Sequence, residues 1–165
     1  MVNQGFRDPA RKILDLEAAE RWRKALAGSL VFTNGVFDVL HRGHVAYLAR
    51  ARAEGDALIV AINSDASARR LGKGPDRPLN GEQDRAFVIA ALESVDAVVL
   101  FGDDTPHALI EALRPDVLAK GADYQLKDIV GADVVTARGG RVVRVPLEPG
   151  FSTTNFLKKV TGGET

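Results

Sequence analysis

A doubly wound α/β domain built on a five-stranded parallel sheet is the fold the sequence predicts. Three observations point to it. Five short apolar runs, rich in Val, Leu and Ile, recur through the 165 residues and are separated by stretches with helical spacing. Such alternation gives parallel strands joined by right-handed crossovers. Four of the runs end in polar or glycine-containing residues, and in sheets of this kind ligands lie beyond the carboxyl ends of the strands.

The elements follow in chain order. Asp8 and Pro9 open a predicted helix over 10–27, stopped at Gly28, with Leu14, Ala18, Trp22 and Leu26 on one face. Residues 1–28 therefore read as a helical extension packed on a single domain over 29–165. The run 29–33 is the first strand and leads into a glycine-containing loop, with a helix over 43–54. Strand two, 57–62, ends in Asn63-Ser64-Asp65, and a short helix is expected over 66–71. Glycine, proline and cations at 72–78 mark a mobile loop, and Asn80 with Gln83 has the spacing of a capping box at the start of a helix over 81–94. Strand three is 98–101, and Thr105-Pro106 opens a helix to 113. Strand four, 115–119, ends in Lys120-Gly121-Ala122-Asp123-Tyr124. A helix over 128–138 precedes strand five, 141–145, and Ser152-Thr153-Thr154 begins a last helix to 160.

Composition narrows the function. Lys and Arg total 22, as do Asp and Glu, so the formal charge is +0, which argues against a nucleic-acid protein that works by basicity. Cysteine is absent, which excludes disulfides and thiolate metal sites. No run reaches the roughly 18 apolar residues of a membrane span, and residues 1–8 lack the apolar centre of a signal peptide, so a cytoplasmic protein without membrane partners is expected.

The chemistry concentrates after strand one. Two of the three histidines, His41 and His44, stand at a predicted helix start, where unpaired N–H groups and the helix dipole favour an anion. Imidazoles there add donors for phosphate oxygens. Metal-binding histidines on a helix usually lie four apart and need a further ligand, whereas these lie three apart with Gly43 between them, so no structural metal is expected. Neither the dinucleotide fingerprint nor the P-loop motif follows strand one. Ser152-Thr153-Thr154 is a second helix start where hydroxyls and N–H groups can meet phosphate.

Thr33-Asn34-Gly35-Val36-Phe37-Asp38 followed by His41-Arg42-Gly43-His44 resembles the signature of the nucleotidyltransferase superfamily that includes the cytidylyltransferases and pantetheine-phosphate adenylyltransferase. Within it, 60–65 (VAINSD), 118–124 (LAKGADY) and 152–159 (STTNFLKK) are most similar to the adenylyltransferases of ADP-heptose synthesis, and the resemblance covers about 28–160. It implies a Rossmann-like nucleotidyltransferase fold and transfer of AMP from ATP to a heptose 1-phosphate, giving a nucleotide sugar for the lipopolysaccharide inner core, with pyrophosphate released. Many members carry a fused sugar kinase, and this chain is expected to be a stand-alone form. A cytidylyltransferase, or an adenylyltransferase with another phosphorylated acceptor, is the alternative.

The resemblance also implies roles. The attacking phosphate oxygen is already ionised, so the site must align two anions and stabilise charge on the α-phosphorus and the leaving pyrophosphate rather than supply a strong base. His41 and His44 would carry catalysis by bonding the triphosphate. Asn34, Gly35, Phe37, Gly43, Lys120, Asp123 and Ser152 to Thr154 would surround ATP, with Asp123 towards ribose. Asp38, Asp65, Lys73, Arg77 and Arg85 would face the acceptor. Mg²⁺ is expected to arrive on the ATP phosphates, and a homo-oligomer, dimer or tetramer, is expected. Where cytidylyltransferases carry an Arg-Thr pair, this chain has Pro146-Leu147-Glu148-Pro149, so that arginine's phosphate contact has no counterpart here and CTP is disfavoured.

Overall fold

The computed structural model describes residues 7–72, 74–160 and 162. A parallel sheet runs in the order β1-β4-β3-β2-β5-β6, formed by β1 (Ile13–Leu14), β2 (Leu30–Gly35), β3 (Ala57–Asn63), β4 (Ala97–Phe101), β5 (Val117–Gly121) and β6 (Arg141–Val145). The helices are α1 (Leu16–Ala25), α2 (Arg42–Arg52), α3 (Asp65–Arg70), α4 (Glu82–Ala90), α5 (His107–Leu113), α6 (Ala132–Ala137) and α7 (Thr153–Val160).

The sheet has six strands rather than the five expected, and the addition comes from the predicted first helix. Asp8 caps only a 3-10 turn, Pro9–Lys12, through Ala10 N at 2.9 Å. Ile13 and Leu14 then pair with Val98 and Val99 at the sheet edge. The helix restarts behind a second cap, Asp15, whose carboxylate accepts from Ala18 N at 2.7 Å. Lys12 fixes the strand from its other side by donating to the carbonyls of Leu92 and Val95. Beyond it, Leu14, Trp22 and Leu26 pack on the core of the domain.

Two further boundaries differ. The helix expected over 128–138 is broken at Gly131, whose φ of 83° needs glycine and where a Cβ would meet Ile110 Cδ1 at 2.5 Å. It becomes a 3-10 turn, Leu126–Asp128, followed by α6. The capping box at Asn80 and Gln83 does not form; α4 starts after Gly81 without a side-chain cap, because Asn80 is engaged elsewhere.

Both faces of the sheet are covered, which is why the strands read as continuous apolar runs. Leu30 and Phe32 of β2 face one layer with Leu109, Ile110, Leu113 and Val135 of α5 and α6. Val31 faces the other, with Tyr47, Leu48, Ala86 and Ile89 of α2 and α4. The next strand along the chain after β2, β3, pairs on one side of it, and β5 pairs on the other, so strand order reverses at β2. A crevice opens beyond the carboxyl ends of β2 and β5.

Candidate functional site

That crevice is a cavity of about 640 Å³ whose walls come from the ends of β2 and β5, the start of α2, the start of α7 and the loop before α4. A cavity of about 710 Å³ lies at the opposite edge of the sheet, at the ends of α1, α5 and α6. Its Arg23, in the last turn of α1 where a cation complements the helix dipole, is bonded to Asp116, and its Arg141, at the start of β6, to Glu54. The histidines at the start of α2 and the hydroxyls at the start of α7 line the first cavity.

α2 begins with an unusual cap. His41 is itself the N-cap residue: its Nδ1 accepts from Gly43 N at 3.1 Å, while His44 Nδ1 accepts from His41 N at 3.3 Å. The two rings stack 3.8 Å apart, and both line the cavity. Because each Nδ1 accepts a backbone N–H, each neutral ring carries its proton on Nε2, the nitrogen away from the backbone. Burial pushes the His41 imidazole below its ordinary value, which favours this neutral donor form. Gly43 leaves little room here, since a Cβ would stand 3.0 Å from the His41 ring and from Phe151 Cβ.

The neighbouring loop is strained towards the same point. Phe37 holds φ at 51°, a left-handed conformation rare for an aromatic residue, and its ring meets His44 edge-on with centroids 5.4 Å apart. Phe151, ahead of α7, lies over Arg42 at 5.8 Å and near His41, which ties the starts of α2 and α7 together. Ser152, Thr153 and Thr154 line the cavity from α7, and the Ser152 hydroxyl also caps that helix by accepting from Asn155 N at 3.0 Å. Cap and lining roles coincide.

From β5, Lys120 lies over the Tyr124 ring at 5.1 Å and donates to Asn34 O at 3.4 Å. Asp123 folds back over Gly121, where a Cβ would meet its Oδ1 at 2.4 Å. Asn34 Oδ1 is out of contact with solvent and has no hydrogen-bond partner among the described residues, an orphan acceptor in the cavity wall.

The acceptor-side residues divide. Arg77 and Asp38 line the cavity, but Asp38 is already engaged: its carboxylate accepts from Leu79 N at 2.8 Å, Asn80 N at 2.9 Å and Arg77 Nη1 at 3.1 Å. Burial alone would raise this carboxyl, but the two amides and the guanidinium outweigh it and hold it below its ordinary value. Asp38 thus fixes the segment before α4 against the cavity. Asp38→Asn should destabilise the fold by about 1–3 kcal/mol, because an amide group would confront an N–H donor. Limited proteolysis reads this as faster cleavage at 74–80, and unchanged cleavage would refute it.

Arg85 and Asp65 do not line the cavity. Arg85, 1% exposed, donates to the carbonyls of Val36 at 2.7 Å, Asn63 at 2.9 Å and Asn80 at 3.0 Å and to the Asp65 carboxylate at 2.8 Å. It clamps three segments from behind rather than facing a ligand. Lys73 lies outside the described residues. Sequence reasoning gave no site role to Tyr47, Leu147 and Phe151, which also line the cavity; their apolar or aromatic character reads as core or turn packing until the fold places them.

The sequence pattern of the cytidylyltransferase-like family matches residues 32–157, which contain the whole cavity wall. The chain belongs to that family. The chain has a six-stranded Rossmann-like nucleotidyltransferase fold. The chain is 56% identical to the bifunctional protein HldE of Mesorhizobium japonicum over 157 residues, 93% of this chain and 31% of that protein. With the bifunctional protein HldE of Geotalea uraniireducens the identity is 53% over 165 residues, 98% of this chain and 34% of that one. The chain thus spans about a third of the length of these relatives. Among solved structures, the lipopolysaccharide core biosynthesis protein of Thermoplasma volcanium superposes with a TM-score of 0.62 at 29% identity, covering 74% of this chain and 98% of that one.

Proposed function

We propose that this chain is an adenylyltransferase that transfers AMP from ATP to D-glycero-β-D-manno-heptose 1-phosphate, giving ADP-heptose and pyrophosphate for the lipopolysaccharide inner core. The observation that carries the reaction type is the pair of stacked, backbone-fixed imidazoles at the start of α2, sharing one cavity with the hydroxyls at the start of α7. Two helix N-termini and two Nε2 donors form a preorganised receptor for a polyphosphate. The heptose acceptor is supported by identity above 50% to HldE proteins over nearly the whole chain, and by the lipopolysaccharide-core neighbour.

In this reading a phosphate oxygen of the sugar 1-phosphate attacks the α-phosphorus, the bond to the β-phosphate bridging oxygen breaks, and pyrophosphate departs. His41, His44 and the Ser152–Thr154 segment hold the triphosphate, Lys120 neutralises charge, and Arg77 receives the acceptor phosphate. Mg²⁺ arriving on the ATP phosphates would supply charge neutralisation there. Among the described residues no helix is long and apolar enough to cross a membrane.

Pyrophosphate release tests the proposal. ATP with heptose 1-β-phosphate should give rapid release, whereas CTP with the same acceptor, and ATP with glycerol 3-phosphate or pantetheine phosphate, should not. Equal turnover of ATP with all three acceptors would overturn the heptose assignment, and a preference for CTP would overturn the adenylyl one.

A further inference from the structure

We propose that the Tyr47 hydroxyl, oriented from behind by Thr33, is a hydrogen-bond donor to the ribose of the bound nucleotide. The inference rests on the nucleotide reading above and assigns a residue that neither the phosphate contacts nor the acceptor contacts use.

Tyr47 stands one turn after His44 on α2, is 8% exposed and lines the cavity. Its Oη lies 2.8 Å from Thr33 Oγ1, and neither hydroxyl has another hydrogen-bond partner among the described residues. The pair owns two hydroxyl hydrogens, and one bond uses one of them. Thr33 is 0% exposed, between the sheet and α2. Were Tyr47 the donor, the Thr33 hydrogen would be left buried without an acceptor, the costly arrangement. With Thr33 donating to Tyr47, the remaining hydrogen belongs to Tyr47, the member of the pair that reaches the cavity. A donor is therefore left facing the ligand space.

Its surroundings select the partner. The phosphate-binding groups cluster at the first turn of α2, and Tyr47 lies one turn deeper, towards the end of β5, where Asp123 and Tyr124 line the wall. The negative charge of Asp123 is felt at the Tyr47 phenol. Burial, with smaller contributions from Tyr124 and then Asp123, outweighs the Thr33 hydrogen bond and pushes the phenol up to about 12, so the hydroxyl keeps its proton at any working pH. A carboxylate acceptor beside a hydroxyl donor complements a vicinal diol, one hydroxyl giving and the other receiving a hydrogen bond.

Calorimetric titration of ATP, 2′-deoxyATP and 3′-deoxyATP into the full chain without acceptor tests this independently of the sugar substrate. Tyr47→Phe, which keeps the ring and its packing, should weaken ATP binding about 5–10-fold. With the deoxy analogue that lacks the partner oxygen, wild type and Tyr47→Phe should bind alike, a pattern that a merely structural role would not produce. Thr33→Val should weaken ATP binding in the same direction. Unchanged ATP affinity in Tyr47→Phe, or the same fold-loss with both deoxy analogues, overturns the proposal. Should Tyr47→Phe not fold, wild-type protein that binds both deoxy analogues as tightly as ATP overturns it equally. Absence of any ATP binding by wild type would instead refute the nucleotide reading itself.

Discussion

His44→Ala is expected to lower kcat by roughly 10²–10³-fold while the protein still folds, because in the proposed reaction it removes a fixed donor to charge that develops in the transition state. The same holds for His41, but there alanine would also delete a helix cap, worth about 1 kcal/mol of stability. His41→Asn separates the two roles. Asparagine is a good N-cap, so the variant should keep the melting temperature and still lose turnover. If it retains wild-type kcat, the His41 ring acts only as a cap and the catalytic assignment fails. His41 also predicts a pH dependence. Its folded-state pKa is depressed by burial below the ordinary 6.5, so the unfolded chain binds the proton more readily. The resulting stability is fully present above about pH 6.5 and is lost as pH falls through the folded value. Melts recorded across this range should show a slope in wild type that flattens in His41→Asn.

Arg85→Met should be the most destabilising single change outside the apolar core. The side chain is fully inside and satisfies three carbonyls and the Asp65 carboxylate at once. Removing one partner of a buried, hydrogen-bonded charge pair costs about 3–5 kcal/mol, which at roughly 2–4 °C per kcal/mol for a domain of this size lowers the melting temperature by about 6–20 °C. Arg85→Lys should recover only part of this, since an ammonium group cannot span the fork that reaches Val36, Asn63 and Asn80 together. A shift below about 2 °C for Arg85→Met would show that the clamp carries no weight.

Most of the fold was legible because its signals are local. Apolar β-branched runs, the glycine that stops a helix and the two histidines at a helix start all act within a few residues. What escaped depends on distant partners. Ile13-Leu14 reads as part of a helix until Val98 and Val99, more than eighty residues on, offer a strand edge. Asn80 reads as a cap until Asp38 claims its side chain and its amide. Arg85 and Asp38 carry the charge expected of ligand contacts, yet each is largely consumed by backbone groups brought together only when β2, β3 and the loop before α4 meet. The histidines were legible as phosphate donors, but their tautomer was not, since it follows from two backbone bonds visible only in three dimensions. Tyr47 has the helical spacing of a core residue, and nothing in its neighbours along the chain announces that it lines a cavity.

The two borders of the sheet are finished differently. On one, the apolar row 97–101 is met by a strand of only two residues, held by Lys12 to the carbonyls behind it. On the other, β6 presents Arg141 and Arg144 to solvent. A short, pinned strand and a charged one are both poor templates for further pairing. Both borders thus offer little inducement for copies of this protein to join sheet to sheet.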